Sequence, residues 1–209
     1  QIEMIKKLIL DGYAYEANGS VYFSIGTYLE KYPYGELSGR SIEDLESGTR
    51  DLDGQQDKRH PLDFALWKKA SPEHIMRWPS PWSDGFPGWH LECSAMSTKY
   101  LGEEFDIHGG GMDLKFPHHE CEIAQSCAAS GGERFARHWF HTRHLVVEGE
   151  KMSKSLGNVT NLVDLVQHYD PRAYRMLLLQ THYRSPVKVG QDNIDSSVKS
   201  LANLDGFAD

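Results

Sequence analysis

The sequence predicts an α/β fold in which strands of a parallel sheet alternate with helices, before the chain passes into helices at its C-terminal end. Short strand-like runs occur at 64–67, 104–108 and 144–148, and a helical pattern over 89–100 separates the first two. Residues 30–61 are polar and punctuated by Gly and Pro, which indicates an inserted connection outside the core.

The N-terminal elements have clear local signals. Apolar residues recur at helical spacing up to residue 10, which predicts an amphipathic helix. Aromatic-rich runs at 13–17 and 20–23 flank Asn18-Gly19, the dipeptide that most favours a tight β-hairpin. Ser41, followed by Ile-Glu-Asp, predicts a capped start for a short helix inside the connection.

In the middle of the chain, we expect Met96, Tyr100 and Leu101 to give the helix over 89–100 its core contacts. Gly109-Gly-Gly111 follows the strand over 104–108 directly, and Pro117 suits the first turn of the next helix. Further helices are predicted near the C-terminal end, at 162–168, 172–180 and 196–204.

Composition narrows the class of protein. The chain has 209 residues, 39% of them hydrophobic, which is enough for a sizeable core. No apolar run is long enough to cross a bilayer, and a net charge of −8 argues against a grip on nucleic acid over the whole surface. Three cysteines without a regular framework favour a reducing compartment, so we expect a cytoplasmic protein. Because the sequence starts with Gln inside a helical pattern, we expect a fragment of a longer protein.

Cys93, His118 and Glu122 form the first candidate site. His118 and Glu122 are spaced i, i+4, so both side chains can reach one point above a helix. A thiolate, an imidazole and a carboxylate suit Zn²⁺ and can leave a fourth position open for substrate. By spacing alone, a surface pair at 118 and 122 and an unrelated cysteine remain the commoner explanation.

Two further segments could bind a nucleotide. The run from His108 to Asp113 follows a predicted strand, where ligands of open parallel sheets bind, although an ordinary glycine turn would look the same. Lys151-Met-Ser-Lys-Ser155 places two lysines around small hydroxyl residues. Such a loop can neutralise charge on a triphosphate, whereas two lysines in an unremarkable loop would only be solvated.

The pentapeptide at 151–155 is the signature loop of class I aminoacyl-tRNA synthetases, and three segments resemble the cysteine-specific family within that class. They are Gly88-Trp-His-Leu-Glu-Cys-Ser-Ala-Met96, the run from His108-Gly-Gly-Gly-Met-Asp to Ser126, and Gly149-Glu-Lys-Met-Ser-Lys-Ser-Leu-Gly-Asn158. The resemblance extends over essentially the whole chain and is weakest in 25–60 and at the C-terminal end.

The resemblance implies a Rossmann-like parallel sheet, the second half of a class I synthetase catalytic domain. Residues 1–145 would form that half, with a connective insertion at about 12–60. Residues 146–209 would hold the signature loop and the start of a helical domain that contacts the tRNA acceptor stem. Arg172, Arg175 and Arg184 are candidate phosphate contacts there, although a solvated surface arginine is the commoner explanation for any one of them.

The resemblance also implies one Zn²⁺ per subunit, with Cys93, His118 and Glu122 among its ligands. The family's remaining zinc cysteine precedes its His-Ile-Gly-His-type ATP motif, and neither is present in this sequence. We therefore expect these 209 residues to be inactive alone. Cys121 stands where the family usually has Asn, and we expect it to be a small buried residue, not a ligand.

The implied activity is that of a cysteine–tRNA ligase. L-cysteine would react with ATP, accompanied by Mg²⁺, to form an adenylate, and the cysteinyl group would pass to tRNA(Cys). Zinc would select the thiol over the hydroxyl of serine. Trp89 and His108 would line the cysteine pocket, although core packing is an equal alternative for Trp89. Lys151 and Lys154 would act in catalysis by charge, and the ATP-binding residues would be Asp113, Ser153, Lys154 and Ser155.

Three alternatives remain at this point. A related ligase joins cysteine to an amino-sugar conjugate, and the presence of Glu122 favours the synthetase over it. An inert fragment with a binding or structural role is a second. A metallohydrolase is disfavoured because the sequence contains no His-Glu-x-x-His pattern.

Overall fold

The computed structural model describes residues 1–47, 55–132, 134–147, 150–151 and 161–208. The chain divides into two compact units, each containing two segments. The first unit is Gln1–His108 with Asp113–Trp139, and the second is Gly109–Met112 with Phe140–Asp209. The predicted boundary between residues 145 and 146 stays a prediction.

A four-stranded antiparallel sheet, in the order β1-β2-β3-β4, lies in the first unit. The predicted hairpin is confirmed, since Asn18 (φ 51°) and Gly19 (φ 80°) adopt the left-handed conformation that a tight β1–β2 turn requires. The strands are β1 (Ala14–Ala17), β2 (Ser20–Phe23), β3 (Phe64–Lys69) and β4 (Gly85–Pro87).

Five α-helices accompany this sheet in the part of the chain that the structure describes. The predicted N-terminal helix is confirmed, and the predicted cap is present where the Asp44 N–H donates to Ser41 Oγ at 3.2 Å. The last of these helices, α5, is capped at its C-terminal end by Gly131, whose φ of 72° favours glycine. The helices are α1 (Ile2–Leu10), α2 (Ile25–Leu29), α3 (Ile42–Ser47), α4 (Trp89–Leu101) and α5 (Glu120–Ser130).

The main core forms where α1, α4 and α5 pack with the sheet. Gly88 sets the approach of α4, because a Cβ there would lie 2.0 Å from the carbonyl oxygen of Ala65. The Gly88 N–H also donates to the Leu66 carbonyl at 2.8 Å, so the start of α4 is fixed against β3. Buried members of this core include Ile5, Leu8, Phe23, Leu66, Leu91 and Ala124.

The predicted core contacts of α4 are wrong. Met96, Tyr100 and Leu101 are 52%, 75% and 60% exposed, whereas Leu91 and Ser94 are buried. The helix turns a small polar residue inward because its neighbour α5 presents buried polar side chains at the contact.

Strands β5 (Phe105–Gly111) and β6 (Ala136–Thr142) form a two-stranded sheet. The glycines at 109–111 therefore continue the strand and do not form the expected loop after it. A Cβ on Gly109 would lie 2.9 Å from the Phe140 carbonyl oxygen. The close approach of a neighbouring backbone thus explains a glycine at this position.

The second unit holds a three-stranded sheet in the order β8-β7-β9, in which β7 and β9 are parallel and β7 and β8 antiparallel. Its helices match the predicted segments, except that α8 begins five residues before 196. Asp170 caps α7 by accepting from the Arg172 N–H at 2.8 Å. The elements are β7 (Leu145–Val147), β8 (Glu150–Lys151), β9 (Val187–Lys188), α6 (Leu162–His168), α7 (Pro171–Gln180) and α8 (Gln191–Ala208).

The α/β class with C-terminal helices is confirmed, and β7 and β9 pair in parallel. The strands over 14–87 all pair antiparallel: β1 and β2 form a hairpin, and the connection between β2 and β3 contains α2 and α3. Among the described helices, none combines the length and apolar character that spanning a bilayer would need.

Candidate metal and substrate site

Three neighbouring segments of the first unit carry the predicted metal ligands. Cys93 lies in the second turn of α4, His118 lies in the helical turn Lys115–His119, and Glu122 lies in the first turn of α5. Phe116 is extended (φ −139°, ψ 133°), so the helical path that carries His118 and Glu122 begins immediately after it. Because α4 packs against α5, the two helices bring the three side chains to one place.

One ligand atom each from Cys93, His118 and Glu122 lies within 4.8 Å of the others. His118 Nε2 is 3.7 Å from Glu122 Oε1, and two ligands of a tetrahedral zinc lie about 3.3 Å apart. The side chain of Glu122 is fully buried, and its Oε1 has no hydrogen-bond partner among the described residues. A buried carboxylate oxygen in that condition is costly unless a cation binds it, so these residues fit a zinc ion.

His108, His119 and Glu122 form a second group with the same mutual spacing. Here the geometry differs, because His108 Nε2 lies only 2.8 Å from Glu122 Oε2. That separation is a hydrogen bond and is shorter than the distance between two ligands of one tetrahedral zinc. Of the two groups, the one containing Cys93 has the better geometry for zinc.

Burial controls the ionisation of the site. It lowers the pKa of His118, and it lowers the pKa of His90 to about 3 with a smaller contribution from His118. Both imidazoles are therefore neutral at pH 7, which is the form that binds metals. Burial, followed by the charge of Glu122, raises the pKa of the Cys93 thiol to about 11.

Trp89 covers one side of the site. Its ring stacks on His118 with centroids 4.1 Å apart and planes 27° apart, while 54% of the residue remains exposed. The alternative that Trp89 is a core residue is therefore wrong. An exposed indole stacked on a candidate ligand is placed to contact a small substrate and to exclude water from it.

A protein-family model described as the class I (C) tRNA synthetase catalytic domain matches residues 1–199. The chain belongs to this family. Cysteine–tRNA ligases from Bacteroides fragilis and Deinococcus radiodurans are 55% and 56% identical to it, each over 98% of the chain. The chain spans 43% and 40% of these relatives, which is about two-fifths of their length.

Among solved structures, the chain is similar to a LeuRS in a ternary complex with tRNA from Agrobacterium radiobacter K84. The TM-score is 0.44 at 18% identity, covering 66% of this chain and 20% of that one. Nothing about function follows from a likeness so remote.

The predicted nucleotide-binding residues of this class I synthetase chain are placed only in part. Asp113 is exposed in the short turn Met112–Leu114 that follows β5. Lys151 ends β8, and Ser153, Lys154 and Ser155 lie outside the described residues. Their roles toward ATP stay predictions.

Two arginines predicted to contact tRNA phosphates, and the buried Cys121, contact other residues of the chain. Arg172 pairs with Asp170 and Asp205 through contacts of 2.9 and 3.0 Å. Arg184 lies over the ring of Tyr183 at 5.3 Å from its centroid. Cys121 is buried in the core with its sulfur 3.5 Å from the Tyr34 hydroxyl, as expected for a small packing residue.

Sequence reasoning missed two histidines next to the site. His90 Nδ1 lies 2.8 Å from His118 Nδ1, and His119 Nε2 lies 4.0 Å from Glu122 Oε2. His119 is spaced i, i+3 from Glu122, so the helical pattern could have indicated it. His90 is positioned by the packing of α4 on the turn at 115–119, which no local pattern predicts.

Proposed function

We propose that the protein containing this chain activates L-cysteine with ATP and transfers the cysteinyl group to tRNA(Cys). Membership of the class I (C) synthetase family and 55–56% identity to proteins named cysteine–tRNA ligase support this activity. Since the chain spans about two-fifths of those relatives, the activity is assigned to the protein as a whole.

The convergence of Cys93, His118 and Glu122 is the single observation that carries the substrate choice. Cysteine and serine differ only by sulfur for oxygen, and a pocket shaped by packing alone separates such near-isosteres poorly. A zinc ion held by these three residues would bind a substrate thiolate far more strongly than an alcohol.

The protein's own residues supply position and shape. Glu122 presents Oε1 and His118 presents Nε2 on the same side, and Cys93 supplies a soft sulfur donor from the opposing helix. Trp89, stacked on His118, limits the access of water to this position. His108, which the family resemblance implies lines the cysteine pocket, contacts Glu122 Oε2 at 2.8 Å.

ATP binding is assigned to Asp113 and to residues of the 151–155 segment. Asp113 would accept hydrogen bonds from the ribose, and Ser153 and Ser155 would contact the nucleotide. Lys151 and Lys154 would stabilise the charge that develops on the phosphates, together with Mg²⁺. None of these groups needs to form a covalent bond, because positioning and charge suffice for adenylate formation.

Pyrophosphate exchange tests this function directly. In the full-length protein, cysteine should drive exchange between ATP and pyrophosphate, and serine should not. Charging of tRNA(Cys) but not of an amino-sugar conjugate should follow. These 209 residues alone should give no exchange. Comparable exchange with serine, or transfer to the amino sugar only, would contradict the proposal.

A further inference from the structure

His118 and Glu122 each have two atoms that could bind a metal. In each residue, one of these two atoms already contacts a neighbouring histidine. His118 Nδ1 lies 2.8 Å from His90 Nδ1, and Glu122 Oε2 lies 2.8 Å from His108 Nε2. The atoms left over, His118 Nε2 and Glu122 Oε1, lie 3.7 Å apart and face each other. The two outer contacts therefore leave one binding atom on each ligand.

We propose that His90 and His108 are positioning residues that preset His118 and Glu122 for the metal. This inference rests on the zinc site of the proposed function and assigns it an outer layer of two histidines. Outer partners of this kind fix the orientation and tautomer of metal ligands, and their loss typically lowers metal affinity about 10–100-fold.

His108 acts on the carboxylate. Its Nε2–H donates to Glu122 Oε2, which prevents that oxygen from turning inward and keeps Oε1 for the metal. The imidazole cannot move away easily, because the rings of Phe105 and Trp139 lie 5.5 and 5.0 Å from its centroid in edge-to-face contacts. A rigid ring thus holds a fully buried carboxylate in one rotamer.

His90 acts on the imidazole and fixes its tautomer. In a contact between two Nδ1 atoms, one nitrogen must carry the proton and the other must accept it. A His118 that uses the Nε2 lone pair for metal must carry its proton on Nδ1, so His118 donates and His90 accepts. Phe64 packs edge-on against His90 at 5.7 Å and keeps the acceptor in place.

His119 is not part of this outer layer. Its Nε2 lies 4.0 Å from Glu122 Oε2, beyond hydrogen-bond distance. The oxygen it approaches already accepts from His108 at 2.8 Å. His119 therefore does not decide which oxygen of Glu122 faces Cys93 and His118.

The test compares two substitutions at each histidine in the full-length protein. His108→Phe and His90→Phe keep a ring of similar shape and remove the hydrogen bond. His108→Gln restores a donor near the position of Nε2, and His90→Asn restores an acceptor near the position of Nδ1. His138→Phe, at an exposed histidine of β6, is the matched control. Zinc affinity is measured by competition with a chromophoric chelator.

Each Phe variant should bind zinc about 10–100-fold more weakly than wild type, while the Gln and Asn variants should stay within about threefold of it. The control should bind as wild type does. Thermal unfolding of the metal-free proteins shows whether a Phe variant has lost stability. Recovery of zinc affinity in the Gln and Asn variants would show that the hydrogen bond, and not the aromatic ring, sets the affinity.

Two results would overturn the inference: Phe variants that bind zinc as tightly as wild type, or Gln and Asn variants that lose as much affinity as the Phe variants. The outcome for the proposed function is separate. If wild type activates cysteine and binds zinc while the Phe variants bind it unchanged, only the outer layer is refuted. If wild type binds no zinc, the metal assignment itself fails.

Discussion

Glu122 is a fully buried carboxylate whose two oxygens have different neighbours. Oε2 accepts a hydrogen bond from His108, and Oε1, 3.7 Å from His118 Nε2, has no hydrogen-bond partner in the described part of the chain. Burying such a group is expensive unless both oxygens are satisfied. A cation bound at Oε1 would account for a buried Glu122 with one unpartnered oxygen.

The first prediction concerns the sulfur ligand. Cys93→Ser replaces a soft donor with a hard one of similar size, so zinc affinity should fall by more than the ~100-fold that an outer-layer change can produce. Zinc content after dialysis against a chelator measures the effect. Cys127→Ala is the control, because this buried cysteine packs with Phe105 and Phe135 and belongs to neither group of candidate ligands among the described residues. Its cost of about 1 kcal/mol should appear in stability only.

At the residue scale, some residues of the site can be predicted from the sequence and others cannot. His118 and Glu122 are linked by helical spacing, which any reader of the sequence can test. Cys93 has a suitable donor atom but no spacing that links it to the other two residues, and the resemblance of its surrounding motif to a family is what favours it as a ligand. His90 and His108 act through tertiary contacts, since each reaches a ligand on another element. The distances that define their roles depend on packing and not on spacing.

Helices α4 and α5 meet through small polar side chains. Gln125 Nε2 donates to Ser94 Oγ at 2.7 Å, and Ser126 Oγ donates to the same hydroxyl at 2.9 Å. All three residues are buried. The network joins the helix of Cys93 to the helix of Glu122, and Ser94 and Ser126 allow a close approach that larger side chains would prevent.

Ser94→Ala should therefore destabilise the protein by about 1–3 kcal/mol, because it leaves the Gln125 and Ser126 donors buried without their acceptor. Urea unfolding measures the change in the free energy of unfolding. Ser97→Ala, on the same helix and half-exposed, should change it by less than about 0.5 kcal/mol. Equal effects of the two substitutions would show that the network contributes nothing.

A second buried carboxylate ties the connection to α5. Glu120 accepts from the backbone N–H groups of Gly35 and Ser38 at 3.2 and 2.7 Å, and it is 2% exposed. Glu120→Ala should lower the free energy of unfolding by about 2–3 kcal/mol, since hydrogen bonds to a charged group are lost and two donors are left unpaired.

Glu36→Ala is the matched control for this prediction, because Glu36 is an exposed glutamate of the same connection. Its unfolding free energy should stay within about 0.5 kcal/mol of wild type. If Glu120→Ala is equally neutral in the same denaturation experiment, the carboxylate does not anchor the 35–38 segment.

Elements with local signals could be predicted, and elements defined by neighbours could not. The turn at Asn18-Gly19 and the cap at Ser41 follow from backbone preference and side-chain chemistry within a few residues. The glycines at 109–111 carry no such signal, because their place in β5 depends on the approach of β6. The burial of α4 was mispredicted for the same reason: its inward face is polar where it meets α5.

At the scale of the whole molecule, the candidate ligands all belong to the first compact unit, and the described part of the signature segment, Lys151, belongs to the second. The proposed adenylate chemistry draws on residues of both units, because it includes Lys151 as well as the candidate metal ligands. The metal site is different, because its three ligands and both positioning histidines lie within the first unit. Its zinc binding can therefore be tested separately from catalysis.

Metal analysis of the purified full-length protein beside its Glu122→Ala variant tests the central claim most directly. Cys93, His118 and Glu122 converge on one position. Oε1 of Glu122 is buried without a hydrogen-bond partner among the described residues, so a bound cation would stabilise it. We expect about one equivalent of zinc per wild-type chain and substantially less in the variant after dialysis against a chelator. Wild-type protein without zinc, or a Glu122→Ala variant that retains a full equivalent, would contradict the account.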